Sequence, residues 1–411
     1  MFGVERLRDR RALERTDATV TKPVLAGVGM TPFTTPSKSA AYDVMAADAV
    51  GRALTDAGLE LSDVRQAFAS YVYGDSTSGQ RALYQVGMTG IPIVNVNNNC
   101  SSGSSALWLA TQAVTSGAVD CALAFGFEQM QRGALKANWE DRPNPLQNFI
   151  DVAKERYDVV EDIPMALLLF GAAGADYMET YGPAPETFAQ VAVKARRHAA
   201  MNPNAVFRDT VTVEEVLASP VLFKSLTRLQ ACPPTNGAAA VIVCSDDFAR
   251  ARGIDTTVRV LGQGFATDTP DSFDADDLGN AVGFGISETA AQQAYAQAGV
   301  GPDDVDVVEL HDCFTVNEVL TYESLGLTPR GTAEKFIRNG DNTYGGQVVV
   351  NPSGGLLSKG HPLGATGLAQ ITELTWQLRG TADGGRQVDG ARVALQHNVG
   401  LGGAAIVTVL G

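Results

Sequence analysis

The two halves of the chain carry the same order of sequence features, and this repeat constrains the fold more than any other feature. In the first half, a helical pattern ends at Gly58 and is followed by Asp63, Val64 and an apolar strand. In the second half, an Ala-rich helical pattern ends at Gly299, 241 residues later, and residues 303–305 again lead into an apolar strand. Such self-similarity at a fixed offset indicates an internal duplication.

The repeat continues through two strand-to-helix turns. Residues 100–105 and 361–366 each follow a short apolar strand and precede a helix rich in small residues, and a further apolar strand comes next. Strands that alternate with helices predict an α/β layer fold. We therefore expect a duplicated α/β fold, with two similar halves packed in layers and facing each other, each offering one of these turns.

The region between the halves has a different character. Residues 130–230 contain several prolines and most of the longer charged stretches, which indicates an inserted, mostly helical loop domain. The predicted organisation is a charged, helical N-terminal extension at 1–22, an N-terminal half at 23–129 and 231–250, the insertion at 130–230, and a C-terminal half at 251–411.

Composition excludes several classes of protein. Asp and Glu number 46 against 31 Lys and Arg, and this net charge of −15 argues against nucleic acid and anionic membranes as main partners. Five cysteines form neither a disulfide framework nor a paired zinc spacing, and they fit a reducing compartment. No segment reaches the roughly 18–20 apolar residues of a membrane span. Acids mixed into the N-terminal arginines are unlike a targeting peptide, so we expect a cytoplasmic protein.

Cys100 is the first candidate for chemistry, because it precedes a helix of small residues. A thiolate is a nucleophile, and the dipole and free N–H groups of a helix N-terminus lower the pKa of a thiol. The alternative is that Cys100 is a small buried apolar residue.

His361 occupies the counterpart of Cys100 in the second half, within a Gly-His-Pro-Leu-Gly sequence. If the halves pair face to face, its imidazole can accept the thiol proton and later stabilise an oxyanion. The alternative is a histidine that caps a Gly/Pro loop.

Two further motifs follow strands in the second half. His311 and Cys313 lie two residues apart, so in extended chain both side chains face the same side and reach one pocket. The Cys313 thiol is then a possible general acid/base. The alternatives are that His311 and Cys313 are only a packing pair and that Asp312 is a helix N-cap.

The Gly-rich turn at 398–403 lets a backbone N–H approach a substrate oxygen, and it is not a Walker loop.

In this order, the motifs resemble the thiolase superfamily, and in particular its sterol-carrier-protein type, over nearly the whole chain from Val24 onward. The motifs that carry the resemblance are residues 73–76, 97–100, 311–314, 341–346, 360–367 and 395–398.

The resemblance implies a role for each candidate. Cys100 matches the acyl-accepting nucleophile, and His361 matches the histidine that activates it and helps to hold the oxyanion of the CoA thioester. Most thiolases have Asn-Glu-Ala-Phe where this chain has His311 to Phe314, and Cys-x-Gly where it has Asn398 to Gly400. The sterol-carrier type shares this departure, and Cys313 takes over the acid/base role. The backbone N–H groups of Cys100 and Gly400 match the second oxyanion hole.

Coenzyme A is implied as a substrate, with neither a metal nor a tightly bound cofactor. The resemblance places Thr235, Asn236, Gly237 and Ser353 against CoA. The alternative for most of the basic residues of the insertion is a solvated surface charge, but they are also the candidates for its phosphates: Arg132, Lys136, Arg142, Lys194, Arg196, Arg197, Lys224 and Arg228. A homodimer or homotetramer is implied through residues 93–97, and we expect no fused lipid-transfer domain.

The function implied is a 3-oxoacyl-CoA thiolase, an acyltransferase (acetyl-CoA C-acyltransferase) of lipid or sterol side-chain β-oxidation. It cleaves a 3-oxoacyl-CoA to acetyl-CoA or propionyl-CoA and a shortened acyl-CoA through a cysteine acyl-enzyme. Condensation is the reverse reaction, and the sequence does not set the direction. The alternatives are a Claisen condensing enzyme, a thiolase-like carbon–carbon lyase, and a catalytically silent scaffold that binds acyl-CoA or a partner subunit.

Overall fold

The computed structural model of the protein describes residues 22–131, 141–159 and 163–411. The predicted extension at 1–22 therefore lies almost entirely outside the described residues. No helix within the described ranges is long and apolar enough to span a membrane.

Strands and helices alternate in the first half, as the sequence predicts. The elements are β1 (Val24–Met30), α1 (Tyr42–Ala57), β2 (Gln66–Ser70), α2 (Ser78–Leu83), β3 (Ile93–Val96), α3 (Ser102–Thr115) and β4 (Cys121–Glu128).

The predicted inserted region is mostly helical, and the chain then returns to the first sheet. The insertion holds α4 (Gln147–Tyr157), α5 (Met165–Tyr181), α6 (Pro185–Ala199), α7 (Val213–Ala218) and the short strands β5 (Val221–Phe223) and β6 (Leu226–Thr227). It is followed by β7 (Gly237–Cys244) and α8 (Asp246–Arg252).

The second half repeats the alternation. Its elements are β8 (Val260–Ala266), α9 (Leu278–Ala281), α10 (Phe284–Ala298), β9 (Val307–Glu309), α11 (Thr315–Ser324), α12 (Ala333–Asn339), β10 (Val349–Val350), α13 (Gly355–Ser358), α14 (Leu363–Arg379), β11 (Ala394–Gly400) and β12 (Ala404–Leu410).

Sheet topology confirms the duplication. The first sheet has the order β1-β7-β4-β2-β3, and the second, read in the same direction, has the order β8-β12-β11-β9-β10. In each sheet, the second strand in this order, β7 or β12, runs antiparallel to the other four. Strand for strand, the two halves have the same topology.

Five layers stack around these sheets. Helices α3 and α14 pack against each other between the two sheets, while α1 covers the outer face of the first sheet and α10 that of the second. The central layer is apolar, and side chains of both halves, such as Leu107 and Leu368, share one buried cluster. This arrangement brings the N-termini of α3 and α14, and hence the two predicted turns, to one place.

Two predicted elements differ in length from those observed. The strand expected at 347–351 is only two residues long, Val349–Val350, and it ends there because Asn351 adopts a left-handed conformation (φ 53°). The helix expected to begin at Gly367 begins at Leu363, immediately after Pro362.

Candidate active site

Cys100 lies on a tight turn just before α3. The residue before it, Asn99, has a left-handed backbone (φ 51°), an uncommon conformation for a residue other than glycine. Side-chain amides hold this turn: Asn99 Nδ2 donates to the carbonyl of Leu401 at 3.1 Å, and Asn98 Nδ2 donates to Ser105 Oγ at 2.9 Å. The contact with Leu401 ties the nucleophile's turn in the first half to the Gly-rich turn of the second.

A cavity of about 530 Å³ opens in front of this turn, and all four predicted reactive side chains line it. Cys100 comes from the first half, and His311, Cys313 and His361 come from the second. The insertion supplies one wall, which includes Met165 and Phe170 of α5. The remaining lining is largely apolar: Met130, Leu222, Leu229, Ala231, Pro233, Pro234, Phe314, Leu357, Leu363 and Val399.

His361 is arranged as a base for Cys100. A thiol or imidazole atom from each of Cys100, His311 and His361 lies within 4.8 Å of the other two. The Thr366 hydroxyl donates its one hydrogen to the Pro362 carbonyl at 2.9 Å, so at 2.8 Å it accepts from His361 Nδ1–H. The hydrogen is thus on Nδ1, and Nε2 carries a lone pair. This buried Nε2 has no hydrogen-bond partner within the described ranges.

Burial keeps this pair neutral. It lowers the pKa of His361 to about 3, and it raises the pKa of Cys100 to about 12 with help from the nearby Glu128 carboxylate. The helix N-terminus was expected to lower the thiol pKa, but removal from water outweighs it here. The resting site is therefore a thiol beside a neutral imidazole, not a thiolate beside an imidazolium.

Glu128 is a buried carboxyl group that the sequence analysis missed. It accepts backbone N–H groups of Tyr73 at 2.9 Å, Val72 at 3.1 Å and Gly364 at 3.0 Å, and burial raises its pKa to about 7. It thereby ties the first half to the turn that carries His361. An acidic residue at the end of the apolar strand β4 was the available signal in the sequence.

His311 and Cys313 both line the cavity, as their spacing predicts. The ring of His311 is perpendicular to that of His361, with centroids 5.0 Å apart. Burial and the neighbouring His361 and His397 lower the pKa of His311, so it is neutral too. Burial also raises the pKa of the Cys313 thiol, which keeps its proton available for donation. The Asp312 carboxylate does not cap α11; it accepts from the backbone N–H of Leu356 at 2.7 Å, in the first turn of α13.

Gly400 allows the two halves to approach closely. A Cβ atom at this position would lie 2.1 Å from the carbonyl oxygen of Asn98 and 2.7 Å from Ser101 Oγ. Its neighbours Val399 and Leu401 line the cavity. The role of its N–H in an oxyanion hole stays a prediction.

The residues predicted to contact CoA are buried and bonded within the protein. Thr235 Oγ1 accepts the backbone N–H of His361, Asn236 Oδ1 accepts that of Met130, and Ser353 Oγ donates to Glu309. Gly237 packs against Phe33. Contacts from these residues to CoA stay a prediction, and residues 231–234, just before them, line the cavity instead. They include Cys232, a third thiol that the sequence did not single out.

The predicted phosphate-binding residues divide into several groups. Arg196 and Arg228 line the cavity, and the Arg196 guanidinium lies 4.5 Å from the centre of the Phe207 ring. Lys194 is buried in an ion pair with Glu318 and is not available to a ligand. Arg132 and Lys136 lie outside the described residues, and the rest do not line the cavity: Arg142, Arg197 and Lys224.

Comparisons with known proteins agree with this architecture. Residues 24–247 match the family model described as the N-terminal domain of thiolase, and residues 267–411 match the thiolase C-terminal domain-like model. Sterol carrier protein 2 of Rattus norvegicus is 51% identical over 389 residues, covering 94% of this chain and 71% of the relative.

Two solved structures share the fold. The Ltp2-ChsH2(DUF35) aldolase matches with a TM-score of 0.76 and 25% identity, covering 95% of this chain and 97% of that one. Human mitochondrial 3-ketoacyl-CoA thiolase in complex with CoA matches with a TM-score of 0.71 over 95% of this chain and 98% of that one; at 17% identity this likeness concerns the fold alone. From the two family models and the relative at 51% identity, we conclude that the chain belongs to the thiolase family.

Proposed function

We propose that the protein is a 3-oxoacyl-CoA thiolase, which transfers an acyl group from a 3-oxoacyl-CoA to CoA through Cys100. The observation that supports this best is the convergence of the Cys100 and Cys313 thiols and two neutral imidazoles on one largely apolar cavity. One imidazole, His361, turns an unpaired lone pair toward that cavity, and the thiol of Cys313 keeps its proton.

The first half-reaction breaks a carbon–carbon bond. His361 Nε2 takes the proton of Cys100, and the thiolate attacks the 3-keto carbon. The bond between C2 and C3 then breaks, and its electron pair passes to C2 and the thioester oxygen as an enolate. His311 and the now protonated His361 hold this oxygen, while Cys313 gives its proton to C2 and releases acetyl-CoA or propionyl-CoA.

The second half-reaction restores every group. The Cys313 thiolate takes the proton of an incoming CoA, whose sulfur attacks the acyl-Cys100 thioester. Cys100 leaves as a thiolate and recovers its proton from His361. The shortened acyl-CoA departs, and all protons are back where they began.

The lining of the cavity favours a substrate with an aliphatic acyl chain and an anionic carrier. Its walls are mostly apolar, which favours a long or branched acyl group over a polar one. Arg196 and Arg228 supply positive charge at the same cavity in an otherwise acidic protein. Guanidinium groups bind phosphates well, so we assign the CoA phosphates to these two residues.

Dimerisation through β3 belongs to the same proposal. This strand pairs with β2 on one side and is the edge of its sheet. Val94 on the strand is 40% exposed, and Met88 just before it is 76% exposed. An apolar edge strand is a template for pairing with another chain. Light scattering after size-exclusion chromatography tests this: a dimer is expected, and a monomer at micromolar concentration would contradict it.

A carbon–carbon lyase is the second candidate, because one of the matching structures is an aldolase. Retro-aldol cleavage of a 3-hydroxyacyl-CoA needs neither free CoA nor an acylated thiol, and a 3-oxoacyl-CoA, which has no 3-hydroxyl group, is not its substrate. The two functions are separated by assaying acetoacetyl-CoA and a long-chain 3-oxoacyl-CoA, each with and without free CoA, in wild type and in Cys100→Ala. The thiolase proposal expects cleavage that requires both CoA and Cys100. No thiolysis of either substrate by the wild type would overturn it.

A further inference from the structure

The hydrogen position on His311 is set by a chain of side-chain amides that leads away from the cavity. Asn398 Nδ2 lies 3.0 Å from His311 Nδ1. If the amide nitrogen faces the ring, Nδ1 accepts and the ring hydrogen is on Nε2. If the amide oxygen faces the ring, the opposite tautomer results.

Gln370 on α14 fixes the orientation of that amide. Its Nε2 donates to two backbone carbonyls, those of Leu310 at 3.0 Å and His397 at 3.2 Å. Carbonyls only accept, so the amide of Gln370 has one satisfactory orientation. Its Oε1 then faces away from them and accepts from Gln396 Nε2 at 2.8 Å and Asn398 Nδ2 at 3.4 Å.

The orientation of Asn398 follows from that of Gln370. A flipped Asn398 would place its oxygen against Gln370 Oε1. Both oxygens are hydrogen-bond acceptors, and both residues are fully buried, so neither oxygen could satisfy the other. In the observed orientation only the oxygen of this amide lacks a described partner, whereas the flip would leave its two N–H groups in that place and lose the bond to Gln370. The nitrogen of Asn398 therefore faces both Gln370 Oε1 and His311 Nδ1, and the hydrogen of His311 is on Nε2.

The two imidazoles of the site thus carry opposite tautomers. The Thr366 hydroxyl leaves a lone pair on His361 Nε2, whereas the Asn398 amide leaves a hydrogen on His311 Nε2. Because burial keeps both rings neutral, each ring carries a single N–H hydrogen, and the two tautomers remain distinct. One ring is a base and the other a hydrogen-bond donor.

We propose that Gln370 is a positioning residue that, through Asn398, holds His311 in the Nε2–H tautomer and so makes it the donor to the enolate oxygen. This inference rests on the thiolase function proposed above for its catalytic consequence, but not for the tautomer itself. In the opposite tautomer, His311 would present a lone pair to a developing negative charge. Losing one such donor lowers kcat by about 10²–10³-fold in enzymes.

The tautomer is measurable in the resting protein, without turnover. The chain has four histidines, so long-range ¹H–¹⁵N correlation spectra of imidazole-labelled protein contain few signals. Substitution His311→Gln assigns the ring of His311. A hydrogen on Nε2 and a bare Nδ1 is the expected result, and a hydrogen on Nδ1 in the wild type would overturn the inference whatever any variant does.

The role of Gln370 is tested with Gln370→Leu and a matched control. Gln377→Leu removes a second buried glutamine of α14, which binds Glu373 and the Arg386 carbonyl away from the histidines. For Gln370→Leu we expect a mixed His311 tautomer and a kcat for carbon–carbon cleavage reduced at least tenfold. We also expect an unchanged KM for CoA and unchanged alkylation of Cys100. Gln377→Leu should keep the His311 tautomer and kcat.

The outcomes separate the inference from the function. Equal effects of the two leucine variants on kcat, or an unchanged His311 spectrum in Gln370→Leu, would overturn the role of Gln370. A wild type that shows no thiolysis refutes the function instead, and the spectrum still reports the tautomer.

Discussion

The backbone of Gly103 on α3 lies directly against that of Gly367 on α14: a Cβ atom added at Gly103 would come within 3.2 Å of the Gly367 nitrogen. This contact sets the distance between the two central helices. Cys100 and His361 lie at the N-terminal ends of those helices, so the spacing of nucleophile and base depends on residues that touch no substrate.

Substitution Gly367→Ala should force these helices apart. Its Cβ atom would meet the Ser104 nitrogen at 2.5 Å, which is backbone and has no room to move. We expect a loss of about 1–3 kcal/mol in unfolding free energy, as overpacking typically costs, and a lower kcat. Urea unfolding and the thiolysis assay measure both.

Gly51→Ala is the control, because an added Cβ atom on this α1 residue meets no described atom within 4 Å. Replacing a helical glycine that has room for a Cβ atom with alanine should stabilise the protein by up to about 1 kcal/mol. Similar losses in the two variants would contradict the packing argument.

Alkylation of Cys100 should rise steadily with pH. Because burial and Glu128 raise the pKa of this thiol to about 12, the reactive thiolate fraction grows about tenfold per pH unit between about pH 7 and 9. Iodoacetamide labelling, followed by mass spectrometry of the Cys100 peptide, gives the rate. A plateau near neutral pH would instead indicate a thiolate–imidazolium pair.

Removing the cations at the cavity should weaken CoA binding. Arg196→Ala and Arg228→Ala each delete one positive charge from the cavity lining. Because each variant loses one hydrogen bond to a charged group, the KM for CoA should rise about tenfold, with little change in kcat. Arg52→Ala is the control, since Arg52 lies exposed on α1 and pairs with Asp48. A KM unaffected by both cavity variants would exclude these residues as the phosphate site.

His198 should make stability fall in mild acid. Burial and Lys194 lower its pKa to about 3 from an unfolded value of 6.5. Between those values the unfolded chain binds a proton that the folded protein does not, so stability is lost as pH falls below 6.5. From pH 7 to pH 5 this linkage amounts to about 2 kcal/mol.

The variant His198→Asn lacks this linkage. Its disadvantage relative to the wild type in urea unfolding should therefore shrink by about 2 kcal/mol from pH 7 to pH 5. A disadvantage that stays constant across this range would show that His198 titrates normally in the folded protein.

Most of the fold can be predicted from this sequence because the duplication is visible in it. The turns that begin at Cys100 and His361 sit in matching strand-to-helix contexts, and the two sheets have matching strand orders. The pairing of His311 with Cys313 on one side of the chain follows from their spacing alone. Local pattern therefore suffices to nominate the four reactive side chains Cys100, His311, Cys313 and His361 that line the cavity.

The rest depends on burial and on long-range contacts, which local pattern does not report. Next to a helix N-terminus, Cys100 has a raised pKa because the depth of the site outweighs the dipole. Lys194 resembles the other cations of the insertion in sequence, but it is buried against Glu318. Gln370 lies 28 residues from Asn398, and only the folded chain brings the two amides together.

The most direct test of the account is the mass of the protein after incubation with acetyl-CoA, combined with thiolysis of acetoacetyl-CoA. We predict an acetyl group on Cys100 in the wild type and in Cys313→Ala, and none in Cys100→Ala. Thiolysis should be lost in both variants, because Cys313 transfers the protons of C2 and of the CoA sulfur but does not hold the acyl group. CoA can leave as a thiolate, so acetylation in Cys313→Ala is slower but still occurs. Acetylation at another residue, or thiolysis that survives in Cys100→Ala, would contradict the central claim that Cys100 is the nucleophile.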